Sequence, residues 1–409
     1  MTNHNDWNQE TKVAFRFSFI FILSFIFIKN NGTFPIFFML TKPLLVLVQQ
    51  LTPWFAEHIL HYKYDYSIYT NGSGDTSYDW VSVLILLLIA VLGTLIWSIL
   101  DRKRPSYNVA YYWLTTAIRY YVAFMLINYG VIKLVHGQMS PPGIGRLMQP
   151  LGELSPMSLA WTFFGYSKGY NIFIGIAEIL ASLLLFRKTM VLGALITVAV
   201  GLNIMATNYF FDVPVKMVST ALVVLAIFLL LPHIKPLFGL FVLGKPAQLR
   251  TIAKPKFRKP WKNWAMILAK GLFIALMLLQ HAFILFSNSK SPNYHSPLYG
   301  IYLIEKESIQ PTAIPKEWTW IIFEYEGSAT VRDNLYKKKN ETIAIYNDKK
   351  QITLNRHTFD YVVQENGDIQ LIKTFPDRIE EIMLIKQDAA DFELIKRKFN
   401  WIQEYPFVR

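Results

Sequence analysis

Long apolar runs fill the first 289 residues, and short alternating runs fill the remainder. A membrane-crossing helix needs about 20 mostly apolar residues. Six segments approach or reach that length: Val81–Leu100, Ala110–Leu134, Asn171–Phe186, Thr189–Phe210, Pro214–Leu231 and Trp264–Phe286. Val13–Ile28 is a seventh. Lys12 and Arg16 precede or enter it as in a secretory signal, but Lys29-Asn30-Asn31 follows with no small-residue cleavage pattern, which predicts a retained helix. Phe34–Leu60 is interrupted by Pro35, Pro43 and Pro53 and carries Trp54, His58 and His61, the pattern of an amphipathic helix at the membrane interface; it is not counted as a span.

After Phe286 the period changes from helical to two. Strands are predicted at Ile301–Glu305, Trp318–Tyr325, Thr342–Tyr346, Gln351–Asn355, Phe359–Val363, Ile369–Lys373 and Glu381–Lys386, with turns such as Asn366-Gly367-Asp368 between them. Asp391–Phe399 reads as a short terminal helix capped by Asp391. Trp318, Trp320 and Trp401 are expected to pack. The fold class that follows is a polytopic α-helical membrane bundle of about seven spans plus interfacial or re-entrant helices, followed by a small antiparallel β-rich barrel or sandwich. The domains are residues 1–289 and 290–409.

Charge changes this picture in one respect. The first 289 residues hold 24 Lys+Arg against 10 Asp+Glu, and the last 120 hold 17 against 18, so the net +13 belongs to the membrane half. No stretch joins a basic run to the interleaved aromatics of a nucleic-acid surface. The basic loops Asp101–Pro105, Arg187-Lys188 and His233–Lys262 alternate with weakly charged ones. By the positive-inside rule all three lie on the cytoplasmic side, and the C-terminal domain lies outside a bacterial cytoplasmic membrane. The chain has no cysteine, which removes disulfides, thiolate metal sites and thiol redox relays.

Ionisable groups within membrane helices are costly and mark candidate sites. Arg119, Leu126, Tyr129, Lys133 and His136 share one face of the Ala110 helix, with Arg119 and Lys133 roughly 21 Å apart along the axis. Arg119 sits in the inner half, where snorkelling to inner phosphates is the structural reading, and Lys133 lies toward the outer surface. Glu178 is mid-helix among aliphatics and must be paired or protonated. Asn203 and Asn208 lie near the outer end of the Thr189 helix. Asp212 and Lys216 are spaced for a local ion pair. Gly143–Ser167, containing Trp161, suggests a re-entrant or surface helix forming a lid over the outer mouth of the bundle. Spacing alone supports no metal site, and there is no phosphate loop, serine elbow or metalloprotease motif.

Four elements follow one another at helix spacing: Tyr129-Gly130-Val131-Ile132-Lys133-Leu134, Gly175-Ile176-Ala177-Glu178 with Leu183-Leu184-Leu185-Phe186-Arg187-Lys188, Leu192-Gly193-Ala194 and Asp212-Val213-Pro214-Val215-Lys216. On these elements residues 110–231 resemble the DoxX family of bacterial membrane proteins. The whole chain is similar to longer DoxX-like proteins with an extracytoplasmic tail. That resemblance implies proximity to a quinone. The Gly-x-x-Lys-Leu stretch also looks like one in the membrane domain of the vitamin K-dependent γ-carboxylase, which implies a lysine base acting on a hydroquinone; here it would be Lys133.

The leading expectation is a membrane protein that holds a quinone or other lipophilic ligand. Lys133 is its base, Glu178 its proton partner, and Arg119, Tyr129, His136, Trp161, Asn203 and Asp212 are candidate ligand contacts. A desolvated lysine can serve as a base near neutral pH. The alternative is a non-catalytic scaffold whose C-terminal domain binds a partner protein, in which case deleting Lys290–Arg409 abolishes function and Lys133→Ala does not. A transporter ranks third, since no matched inverted repeats are visible.

Overall fold

A computed structural model describes residues 7–63, 73–249, 251–252, 255, 259–288, 295–305, 312–397 and 400–406. Contacts divide these into two compact units: residues 1–140 with 156–290, and residues 141–155 with 291–409.

The first unit is helical: α1 (Gln9–Ile28), α2 (Pro35–His58), α3 (Ser77–Leu100) and α4 (Asn108–Leu134). The short α5 (Ile144–Leu147) belongs to the second unit. There follow α6 (Pro156–Tyr166), α7 (Lys168–Ile179) tightening into a 3-10 helix at Leu180–Leu185, α8 (Met190–Phe210), α9 (Lys216–Leu230), α10 (Ile234–Phe241) and α11 (Pro260–Asn288). Among the described residues seven segments are long and apolar enough to cross a membrane: α1, α3, α4, α7 with its 3-10 extension, α8, α9 through α10, and α11. They mark the chain as a multi-pass membrane protein.

Polar groups at the helix ends pin the bundle. The Arg16 guanidinium, 2 % exposed, donates to the Tyr107 hydroxyl, Ser98 Oγ and the Asp101 carbonyl at 2.8–3.0 Å. At the opposite end of the same helix pair Lys29 meets Asp79 at 2.6 Å. Asp79 also closes a capping box with Thr76 at the start of α3. Helix α4 is central, with Leu114, Ile118, Val122 and Leu126 fully inaccessible, and it is buried on every side over Tyr121–Ile127.

The proline-interrupted segment is one continuous helix, α2, running through Pro43 and Pro53. Its last turns lie against the first turns of α3 through Ala56, Val81 and Ile85, while Lys29 just before it also binds the start of α3. The chain thus enters and leaves α2 at the same end of the α1–α3 pair, so α2 does not carry it from one end of that pair to the other.

The second unit is a nine-stranded antiparallel sheet: β1 (His295–Ile304), β2 (Trp318–Tyr325), β3 (Ser328–Asp333), β4 (Lys338–Thr342), β5 (Ala344–Tyr346), β6 (Gln351–Leu354), β7 (His357–Val363), β8 (Ile369–Thr374) and β9 (Ile379–Gln387). The spatial order is β4-β3-β2-β1-β9-β8-β7-β6-β5. The two outermost strands, β4 and β5, are separated in the chain only by the buried Ile343, so the sheet must curl until its edges meet. The result is a near-closed barrel around Tyr302, Phe323, Phe359, Leu371 and Leu384.

Three sequence expectations change here. Strand β3 and most of β4 went unpredicted, since Lys338-Lys339-Asn340-Glu341-Thr342 has no apolar alternation. The terminal helix is a single turn, α12 (Glu393–Lys396), without a side-chain cap. Asp388 rather than Asp391 caps the 3-10 turn before it, and Phe399 lies outside the described residues. Trp318 is packed at 3 % exposure and Trp320 is half-buried, but Trp401 is 88 % exposed.

In the run Trp318-Thr319-Trp320-Ile321-Ile322-Phe323 both faces of β2 are apolar. Ile321 and Phe323 enter the barrel core, while Ile322 and its neighbour Ile301 point outward. Ile144 and Met148 cover that outer patch. The same stretch is latched by the fully buried Arg332, which donates to Glu153 at 3.0 Å, and by the Gly145 N–H, which donates to Glu324. Residues 143–167 are therefore not one lid: Pro141–Ser155 folds with the sheet, and α6 folds with the bundle.

Glu380 is the barrel's most heavily hydrogen-bonded carboxylate. Burial alone would push its pKa up from the usual 4.5, but donors on Thr312, Ala313 and Arg378 at 2.6–3.0 Å outweigh this and hold it lower. A depressed carboxylate stabilises the fold above its unfolded pKa, and that stabilisation is lost as pH falls through the folded value. Glu380→Gln is therefore expected to lower the barrel's melting temperature at pH 7, and the gap from wild type should shrink steadily below about pH 4.5 in thermal melts followed by near-UV circular dichroism.

Candidate functional site

The site begins with two matching four-residue patterns, Gly130-x-x-Lys133 on α4 and Gly175-x-x-Glu178 on α7. These helices run antiparallel and cross glycine against glycine. A Cβ on Gly130 would sit 2.6 Å from the Gly175 carbonyl oxygen, and one on Gly175 would sit 2.7 Å from the Gly130 carbonyl oxygen. Side chains on a helix lean toward its N-terminus. From opposite directions, Lys133 and Glu178 therefore both lean back toward the crossing. They meet there: Lys133 Nζ donates to both carboxylate oxygens of Glu178 at 2.8 Å. Glu178 is inaccessible and Lys133 is 5 % exposed. The Lys133 ammonium also lies 5.6 Å from the Tyr129 ring centroid, and the Tyr129 hydroxyl accepts from Asn31 Nδ2 at 2.8 Å.

This pair opens into a cavity of about 230 Å³ within the helical unit. That exceeds the roughly 150 Å³ apolar cavity that accommodates benzene. Its walls include Met157, Trp161 and Phe164 of α6, together with Asn203, Asn208, Val218 and Ser219 of α8 and the start of α9.

Two local devices shape these walls. Helix α4 ends in a tight turn in which His136 takes a left-handed conformation (φ +58°) and Gly137 N–H donates to the Ile132 carbonyl at 2.9 Å. His136 Nε2 then meets the Gly165 carbonyl at 2.9 Å, fastening the end of α6 to the end of α4. The second device is at α9, which has no capping side chain of its own. Asp75, 141 residues upstream, supplies one by accepting from Lys216 N–H at 2.5 Å and Met217 N–H at 2.9 Å. Removing it in Asp75→Ala is expected to cost about 1 kcal/mol of stability. Asp75→Asn should recover most of that in thermal unfolding of the detergent-solubilised protein.

Of the residues singled out from sequence, Lys133, Glu178, Tyr129, Trp161 and Asn203 line this cavity together. His136 braces its wall without lining it. Asp212, also left-handed at φ +51°, sits in the turn between α8 and α9, is largely exposed and pairs with Lys216 at 2.8 Å. Arg119 is elsewhere: its Nε and Nη2 donate to the Leu184 and Leu185 carbonyls at 2.6 and 2.8 Å, capping the 3-10 extension of α7. Asn208, noted from sequence beside Asn203, also lines the cavity, while Gln138, Thr207 and Ser219 are cavity polar groups that sequence reasoning did not select. Gln138 follows a turn whose direction depends on the left-handed His136. The others lie on apolar helices, and only the register of α8 against α9 shows which way they face.

No protein-family model matches the sequence, and no solved structure matches it. The chain is 38 % identical over 133 residues to "Uncharacterized protein YwoB" of Bacillus subtilis (strain 168), an alignment covering 30 % of this chain and 79 % of that protein. At that identity and coverage, the chain belongs to the same family as YwoB.

Proposed function

We propose that the helical unit is a DoxX-like binding module for a lipophilic molecule with an oxygen-bearing head, a quinone being the leading candidate, and that the module serves a quinone-linked oxidoreduction. The observation that carries this reading is the buried Lys133–Glu178 pair at the edge of an otherwise mostly apolar cavity. Burying two charges is costly, and purely structural stability is served as well by apolar side chains of similar size. The pair uses two of the three ammonium hydrogens, which leaves one donor for a ligand oxygen. It also supplies a proton path. Transfer from Nζ to Glu178 leaves a neutral amine, which can then take a proton from a ligand hydroxyl, so that Lys133 acts as the base and Glu178 holds the proton.

The protein is placed in a bacterial cytoplasmic membrane with residues 290–409 on the outer surface. Support comes from the three basic loops on the opposite face and from an α2 that adds no crossing. Extraction of the native protein followed by mass spectrometry of co-purifying small molecules tests the reading. A prenylated or otherwise lipophilic ring compound is expected in near-stoichiometric amount with wild type and depleted with Lys133→Ala. Its absence from wild type, or equal retention by the variant, would overturn the proposal.

A second reading, a scaffold that binds a protein partner through the C-terminal unit, draws on one observation: Trp401, Ile402 and Tyr405 are 88, 77 and 85 % exposed. If it holds, replacing these three residues by serine abolishes function in cells while Lys133→Ala leaves it intact.

A further inference from the structure

Resting on the cavity reading above, we infer that the site takes an electrically neutral head that donates a hydrogen bond, an alcohol or a phenol such as the reduced, hydroquinone form of a quinone, and excludes both fatty-acid anions and alkylammonium ions. Among the described residues lining the cavity, Lys133 and Glu178 are the only formally charged ones, and they neutralise each other at 2.8 Å. An anionic head would compete with Glu178 for Lys133 and leave one carboxylate buried without a counter-charge. A cationic head would do the reverse to the ammonium. Because both side chains are buried, either outcome carries the penalty of an uncompensated buried charge. A neutral head leaves the pair intact.

The donor requirement comes from a different residue. The Gln138 side chain lines the cavity, and its Oε1 is buried with no hydrogen-bond partner. A buried carbonyl oxygen without a donor is costly, and the cost is removed when a ligand supplies one. Glu178 points the same way. Each of its oxygens accepts one N–H from Lys133, and a carboxylate oxygen has capacity for more than one. Beside the amides of Asn203 and Asn208, the charged pair and Gln138 thus offer spare acceptors and one spare ammonium hydrogen, which together match a hydroxyl able to accept from Lys133 Nζ while donating to Gln138 Oε1. This makes Gln138 a specificity-determining residue.

Four ten-carbon probes with one tail and different heads test the idea: 1-decanol, decyl methyl ether, decanoate and decylammonium. Binding is measured to the full-length protein in nanodiscs, above the uptake of empty nanodiscs. The inference expects decanol to bind about tenfold tighter than the ether, which accepts but cannot donate, and tighter still than either ion. In Gln138→Leu the alcohol should lose its advantage over the ether while the discrimination against ions remains. Saturable binding of all four heads with equal affinity, or best binding of decanoate, would overturn the inference and leave the lipophilic cavity standing. Binding of none of them would remove the cavity reading itself.

Discussion

Replacing Glu178 by leucine alone is expected to destabilise the bundle by roughly 3–5 kcal/mol, because the Lys133 ammonium is left buried without its counter-charge. Lys133→Met alone should cost a similar amount for the mirror-image reason. The informative variant is the double one. Lys133→Met with Glu178→Leu removes both charges and keeps the volume, so it is expected to recover most of the loss and to sit within about 1–2 kcal/mol of wild type, or above it. Reversible denaturant unfolding of the four proteins in one detergent measures the cycle. A double variant as unstable as the singles would mean that the pair contributes packing rather than charge balance. A stable double variant that no longer retains ligand would show that the charges serve binding at the expense of stability.

The second large effect is expected at the helix crossing. Gly175→Ala places a methyl group 2.7 Å from the Gly130 carbonyl oxygen, backbone that cannot rotate away, so α4 and α7 must separate. Overpacking of this kind costs about 1–3 kcal/mol. The separation also stretches the Lys133–Glu178 contact, so ligand retention should fall alongside stability. Gly130→Ala should behave alike, and the two together should cost less than their sum, since one displacement relieves both clashes. Gly271→Ala on α11 is the control. Nothing lies within 4 Å of its added methyl group, so it should be neutral or stabilise by up to about 1 kcal/mol through helix propensity. Equal effects at Gly175 and Gly271 would show that the crossing has more slack than its geometry implies.

How much of this was legible in the sequence differs by element. The spans were, because apolar length is a property of each segment alone, and α3, α4, α8 and α11 lie where their hydrophobic runs place them. Lys133 and Glu178 were legible as expensive residues in the wrong solvent. That they share one pocket was expected; the direct two-oxygen contact was not legible, since it depends on the reciprocal glycine contact between residues 45 apart in the chain. Arg119 attracts notice for the same reason as Lys133, yet its guanidinium is used on the carbonyls of a 3-10 turn that an apolar run does not announce. Gln138 and Asp75 were invisible for the opposite reason. A polar residue in a loop is unremarkable until the fold shows which buried oxygen lacks a donor, or which helix lacks a cap. In the barrel, alternation found the strands with one wet face and missed Lys338–Thr342, an outermost strand whose polar residues carry no periodic signal.

Because Pro141–Ser155 folds with residues 291–409, the barrel is assembled from pieces made at two times during translation. The early piece emerges between two membrane segments with Ile144 and Met148 uncovered, and it must wait for about 170 further residues before β1 and β2 exist to receive it. A gene fragment encoding only the late piece would leave Ile301 and Ile322 bare on the barrel's outer face, which makes such a fragment prone to self-association. The contiguous stretch that looks like an independent module is thus one segment short of being one.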